Sequence, residues 1–287
     1  MCIPFHLVPQ PICHLLADPI KDSVLLTHQP SDVGVLKVEK YSIFCLGKNT
    51  KFSKLKNALE YAKSMFPTIH TIVLGKGTFD HSSEQDGAIL VDFPITIKGQ
   101  GVGSTIINGC FVIGTSQLTR VDSNNNNANL NSKIVMYNLT ITKAKNCAIL
   151  NAAGLDLTVH TCEISRCREY GIGVFQGALI NLIASDVHLN TCGLVISGAG
   201  STINMSNTEC RQNRNSGIQC TQNGEVHIWG EKTKIWKNVS GRDTSFYGVE
   251  SFGKGSQVNF HTNYEQVCFD NGGGGDRCER EGGKIST

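Results

Sequence analysis

Three carboxylates, Glu163, Asp186 and Glu209, follow one another at intervals of 23 residues, and an apolar residue comes after each: Ile164, Val187 and Cys210. Thr140 holds the same place one interval earlier. If the interval is a structural repeat of stacked strands, the three side chains form an outward column with neighbours about 4.8 Å apart. That is close to the ~5–5.5 Å carboxyl pair of a retaining glycosidase, and the outer two, about 9.6 Å apart, approach the inverting range. Three carboxylates in a row also offer oxygen ligands to Ca²⁺, and like charges this near raise at least one pKa. The plainer reading is a solvated, charged strand face. Arg166, Arg168, Arg211 and Arg214 fall in the turns that follow and are placed to neutralise the column, as structural ion-pair networks do. The same four arginines offer bidentate donors to an acidic sugar or an acidic partner.

Other chemically able residues carry weaker patterns. Trp229, Trp236, Phe246, Tyr247 and Phe252 gather within 229–255. Beside a groove they would stack on sugar rings or anchor a protein partner; turned inward they would fill irregular coils. His160, His188, His227 and His261 recur beside predicted strands. His160 and His227 have no evident carboxylate orienter, so structural or solvated histidines are expected. Cys2, His6, Cys13 and His14 are donors that Zn²⁺ accepts, but their spacing matches no known finger, and no metal site or cofactor is assigned.

The elements that must position these residues declare themselves by the same interval. Apolar i, i+2 pairs recur as Ile134/Met136, Leu157/Val159, Ile180/Leu182, Ile203/Met205 and Val226/Ile228, and a glycine precedes four of them: Gly154, Gly177, Gly200 and Gly224. Each unit holds three short strand candidates, such as Leu157–Val159, Cys162–Ile164 and Ile172–Val174, separated by polar turns. Such a unit cannot bury its inner face alone, whereas a stack of them builds one continuous core. Ile72 and Ile95 keep the interval; Ile95 to Ile134 does not, which predicts a shortened coil plus an exposed loop around Asn124–Asn127. The longer step from Val226 to Val258 places an insertion between them.

Outside the repeat, Leu55, Ala58, Leu59, Ala62 and Phe66 share a helical face, which predicts a cap helix over about 53–66, with Ser53 or Thr50 at its start and Pro67 at its stop. Val24–Leu26 and Val33–Val38 are strand candidates within an N-terminal arm, 1–49. The β-solenoid domain is expected over 50–270, followed by a loose, Gly-rich charged tail, 271–287.

Composition narrows the class. Of 287 residues, 40% are hydrophobic and 17% charged, with 30 glycines, which suits strands joined by tight turns better than helices. A net charge of +2 excludes the overall basic character of a nucleic-acid binder. No run of about 18 apolar residues predicts a membrane span. Lys21 is the one basic residue in the first 28, and prolines at 4, 9, 11 and 19 interrupt the apolar run, so no classical signal peptide is expected. Several of the 12 cysteines, including Cys147, Cys162, Cys192, Cys210 and Cys220, sit at strand-like positions. They are read as reduced, buried small hydrophobes in a cytoplasm-like compartment.

Two segments carry a family resemblance: the helix followed by TIVLGKGTF (Thr71–Phe79), and FPITIKGQGVGSTIING (Phe93–Gly109). They resemble the cap and first coils of right-handed parallel β-helix proteins of the pectin-lyase-like superfamily, in particular the β-helix-repeat proteins of algae and large DNA viruses. The resemblance implies an all-β solenoid of right-handed parallel coils. It leaves activity open, since that superfamily holds lyases, hydrolases, tailspikes and non-enzymatic proteins. The Asn-Thr-Asp, Asp-Asp, Gly-His-Gly and Arg-Ile-Lys motifs of its polygalacturonases do not occur here, nor does the Gly-Arg-Pro-Trp of its methylesterases; Asp18-Pro19 is followed by Ile20 where the epimerases have histidine. The expected function is therefore a non-catalytic structural or recognition protein that binds carbohydrate or neighbouring proteins, with a virus particle as one setting. A polysaccharide lyase or hydrolase using Glu163, Asp186 and Glu209 is the alternative. Candidate binding residues are Arg166, Arg168, Arg211, Arg214, Trp229, Trp236 and Tyr247.

Overall fold

Alternation at period 2 sends every second side chain inward, and three such strands per coil close a triangular turn around one apolar column. The computed structural model describes residues 54–81, 88–114, 133–152, 155–240 and 243–287, with the backbone of β1 (Val35–Val38) and β2 (Ile43–Cys45). The strands stack into three sheets, a right-handed parallel β-helix.

The first sheet holds 11 strands, ordered β2, β1, β3 (Thr71–Leu74), β6 (Thr96–Lys98), β9 (Lys133–Tyr137), β12 (Asp156–His160), β15 (Leu179–Ile183), β18 (Thr202–Ser206), β21 (Glu225–Trp229), β24 (Gln257–Phe260) and β27 (Lys284–Ser286). The second, of eight, runs β4 (Gly77–Asp80), β7 (Thr105–Asn108), β10 (Thr140–Thr142), β13 (Glu163–Ser165), β16 (Asp186–His188), β19 (Glu209–Arg211), β22 (Lys234–Trp236) and β25 (Cys268–Phe269). The third, also of eight, runs β5 (Ala88–Val91), β8 (Cys110–Ile113), β11 (Ile149–Ala152), β14 (Tyr170–Phe175), β17 (Cys192–Ser197), β20 (Ile218–Thr221), β23 (Val249–Phe252) and β26 (Arg277–Arg280). All pairings are parallel except β1 with β2.

Like residues stack on like inside. Ile134, Leu157, Ile180, Ile203, Val226 and Val258 form one fully buried column, and Ile141, Ile164, Val187, Cys210 and Ile235 another. Corners are tight because single residues take left-handed backbone: Asn138, Thr161, Ala184 and Asn207 after the first sheet, and Lys143, Arg166, Leu189, Gln212, Lys237 and Asp270 after the second. The residue after the second corner is Asn190, Asn213, Asn238 and Asn271 in successive coils, a buried ladder in which each asparagine accepts from the backbone N–H of the one before. Gly193 and Gly217 follow from this packing: a Cβ on Gly193 would lie 2.5 Å from the Gly217 carbonyl, and one on Gly217 2.7 Å from that of Gly248.

Several expectations change. α1 (Leu55–Ser64) buries Leu55, Ala58, Leu59 and Ala62, but its N-cap is Lys54 and no side chain caps it. Ile72 pairs with Ile97, not Ile95, so the first interval is 25 residues. Ile97 pairs directly with Met136, so the long step is one full coil carrying an insertion, with no shortened coil. The arm 1–49 contributes β1 and β2 to the first sheet, so the boundary at 50 is too late. The expected loose tail instead supplies β26 and β27, with Ile285 buried, because Val249 and Val258 offer stacking partners on two faces. The predicted strand Val24–Leu26, the Asn124–Asn127 loop and the group Cys2, His6, Cys13 and His14 lie outside the described residues. No helix among the described residues is long and apolar enough to cross a membrane.

Candidate functional site

The carboxylate column forms as the interval requires. Thr140, Glu163, Asp186, Glu209 and Lys234 are register partners on successive strands of the second sheet. Two residues on, and therefore on the same outer face, Ser165, His188, Arg211 and Trp236 form a second column. The two columns interlock. His188 Nε2 lies 3.1 Å from Glu163 Oε1 and 3.7 Å from Asp186 Oδ2. Arg211 Nη2 donates to Asp186 Oδ2 at 2.6 Å, and its Nε lies 3.4 Å from Glu209 Oε2. Glu163 also accepts from Thr140 Oγ1 and Ser165 Oγ, and Glu209 from Trp236 Nε1.

Burial pushes the Asp186 carboxyl above the usual range, and Glu209 adds to the rise, while His188 and Arg211 pull it back. Asp186 Oδ1 and His188 Nδ1 are buried and have no hydrogen-bond partner among the described residues. His188 is 8% exposed, the most enclosed titratable side chain of the network.

The face is floored by short corners and walled by long ones. Two residues join β9 to β10, β12 to β13, β15 to β16 and β18 to β19, whereas 99–104 joins β6 to β7 and 230–233 joins β21 to β22. The first wall leans over the next coil, with the Gly103 N–H donating to Thr140 Oγ1 at 2.9 Å. Between the walls lies an open cleft of about 790 Å³, lined among others by Val102, Glu163, Asp186, His188, Arg211 and Lys232. Among the described residues no three or more His, Cys, Asp and Glu side chains are gathered as a metal-binding group.

Of the four arginines, Arg211 alone neutralises the column; it lies in β19 rather than in a turn. Arg166, Arg168 and Arg214 belong to the next corner, where they are exposed. The aromatic candidates do not form one surface. Trp229 stands on the first sheet, stacked 4.6 Å from His261. Trp236 stands on the second, with Phe269 6.3 Å away and Lys237 Nζ over its ring. Tyr247 precedes the third sheet, beneath the Arg280 guanidinium. His227 does have a carboxylate, Glu225 of its own strand, 3.0 Å away. The sequence places His188 only among the strand-adjacent histidines expected to be structural, although its i+2 relation to Asp186 puts both on one face.

No protein-family model matches the chain, and no curated protein sequence does. Among solved structures it is similar to the mannuronan C-5 epimerase AlgE6 A-module of Azotobacter vinelandii, at 11% identity and a TM-score of 0.30, over 81% of this chain and 94% of that one. The AlgE4 A-module of the same organism gives 12% and 0.33, over 81% and 91%. These values add nothing about the site. What the sheets define is a parallel β-helix protein with a polar, walled cleft on its second sheet.

Proposed function

We propose that this β-helix is a recognition protein that binds a carbohydrate chain in the cleft over β13, β16 and β19. The observation that supports the reading is that the cleft carboxylates are already held by protein donors. Glu163 by His188, Thr140 and Ser165, and Asp186 and Glu209 by Arg211, are pre-oriented acceptors for sugar hydroxyls, with little left to order on binding. A repeating glycan also matches a repeating floor, whose rungs recur at about 4.8 Å. The test is calorimetric titration with a panel of neutral and acidic oligosaccharides, for wild type and for Glu163→Gln, Asp186→Asn and Glu209→Gln. Binding weakened by each substitution supports the reading. Co-sedimentation with a large particle and no glycan binding would replace it with a structural role among neighbouring proteins, a virus particle included.

A second reading, hydrolysis or eliminative cleavage, is favoured by one observation, the raised carboxyl of Asp186 beside Glu163. Two neighbouring carboxyls in unlike surroundings, one of them pushed up by burial, are an arrangement that general acid–base catalysis draws on. Reducing-end release in the same panel, abolished by Asp186→Asn, would establish it; binding without turnover would retire it.

A further inference from the structure

The corner between the second and third sheets carries charge that the cleft does not use. The left-handed residues of successive coils form one column, Lys143, Arg166, Leu189, Gln212 and Lys237. Two positions on, Lys145, Arg168, Thr191 and Arg214 form a second, tied by backbone bonds from Arg168 N–H to Ala144 O and from Arg214 N–H to Asn190 O. All six cations are exposed. None is ion-paired among the described residues; Lys237 lies over the Trp236 ring. The carboxylates on this ridge are Glu169, beside Arg168, and Asp270, after Lys237 in the first column. In a chain of net charge +2, six cations against two acids on one corner make a local positive stripe along the axis.

We infer that this ridge binds a sulfated glycan lying parallel to the β-helix axis. It extends the carbohydrate reading of the neighbouring cleft and shares no residue with it. Lys143/Lys145 and Arg166/Arg168 stand on neighbouring rungs, as do Arg214 and Lys237, so cations recur about 4.8 Å apart on either side of the uncharged Leu189/Thr191 rung, a spacing a polymer with charges on most of its units can follow. The ridge is a convex corner, so the anion must reach out to it. A sulfate ester carries its charged oxygens one bond farther from the sugar ring than a uronate carboxylate does, with one more rotatable bond. Guanidinium is weakly hydrated and offers a donor fork to oxyanions, and three of the six cations are arginines. A nucleic-acid strand is disfavoured because the intervening positions, Leu189, Gln212 and Thr191, supply no aromatic ring for bases to stack on.

The experiment compares dextran sulfate with dextran, polygalacturonate and a single-stranded oligodeoxynucleotide, at two ionic strengths. The proteins are wild type, the triple variant Arg166→Gln/Arg168→Gln/Arg214→Gln, and Asp186→Asn. Wild type is expected to bind dextran sulfate at least about tenfold more tightly than dextran, with affinity falling as salt rises. The triple variant should lose about tenfold or more of this binding with its melting temperature unchanged, and Asp186→Asn should leave it intact. Dextran sulfate binding untouched by the triple substitution overturns the proposal, as does equal affinity for the oligonucleotide or polygalacturonate. Neutral-glycan binding lost in Asp186→Asn without any sulfate preference removes the ridge and spares the cleft; ridge-dependent sulfate binding without neutral-glycan binding does the reverse.

Discussion

Arg211 reaches back one coil to Asp186: its Nη2 donates to Asp186 Oδ2 at 2.6 Å while its Nε faces Glu209 of its own strand at 3.4 Å. One guanidinium thus separates two carboxylates that register alone would set side by side. Both ends are about three-quarters buried, so removing the cation leaves Asp186 half-desolvated beside Glu209. Arg211→Gln should cost about 1–3 kcal/mol of stability in urea denaturation. Adding Asp186→Asn should recover part of the loss, and a strictly additive double variant would show that the pair is not coupled.

A second, partly buried acid gives a pH signature. Glu250 on β23 accepts from Ser216 Oγ and from the Tyr247 N–H, and burial raises its carboxyl above the usual range. The folded state therefore holds this proton more tightly than the unfolded chain. The contribution favours folding below the unfolded carboxyl range and is lost as pH rises through the folded value. Glu250→Gln abolishes that decline. Melting curves should show the variant gaining on wild type between pH 4 and neutrality; a constant difference across that range would contradict the assignment.

How much of this was legible in the sequence follows from what fixes each feature. Parallel register is set by a constant interval, so the Glu163, Asp186 and Glu209 column could be read directly, as could the burial of the cysteines, although of the five named Cys192, Cys210 and Cys220 lie in strands and Cys147 and Cys162 in corners. His188 was legible in principle, because alternation puts i and i+2 on one face, but its bond to Glu163 spans 25 residues and joins different coils. Which arginine turns toward the column depends on where a three-residue strand ends. Arg211 is the last residue of β19 and points out with Glu209, whereas Arg166 comes one residue after β13 and takes the left-handed corner. Polarity alone does not mark that boundary. The terminal strands were hidden for a related reason: β24 to β27 spans 27 residues through a Gly-rich stretch, and the interval had already been broken by the insertion before β23.

The thiols offer a chemical map of the core. Cys162, Cys220 and Cys268 are buried and pushed up to about 12, Cys167 and Cys192 to about 11, mainly by burial in each case. Thiolate is the reactive form, so these groups should resist alkylation in the native protein at neutral pH. Cys278, half-exposed on β26, should react first among the described cysteines. Peptide mapping after a short iodoacetamide pulse checks this; early labelling of Cys162 or Cys220 would mean that the coils open locally.

The asparagine ladder should matter more to stability than any charge in the cleft. Asn213 is fully buried, and its side chain makes bonds on both sides. Oδ1 accepts from the Asn190 N–H at 3.0 Å and from Asn190 Nδ2 at 3.2 Å, and Nδ2 donates to Asn238 Oδ1 at 2.9 Å and to the Val187 carbonyl at 3.3 Å. Alanine there takes these partners from the Asn190 N–H and the Val187 carbonyl in the interior, and each orphan costs about 1–3 kcal/mol. Asn213→Ala should therefore lower stability by about 2–4 kcal/mol, allowing for partial relaxation. The control is Asn204→Ala. Asn204 Nδ2 also donates to an asparagine one coil away, Asn181 Oδ1 at 2.9 Å, but on the half-buried outer face of the first sheet, where water replaces the lost bond. That variant should lie within about 0.5 kcal/mol of wild type. Equal losses from the two would show that the ladder contributes through coil-to-coil contact in general and not through its buried corner.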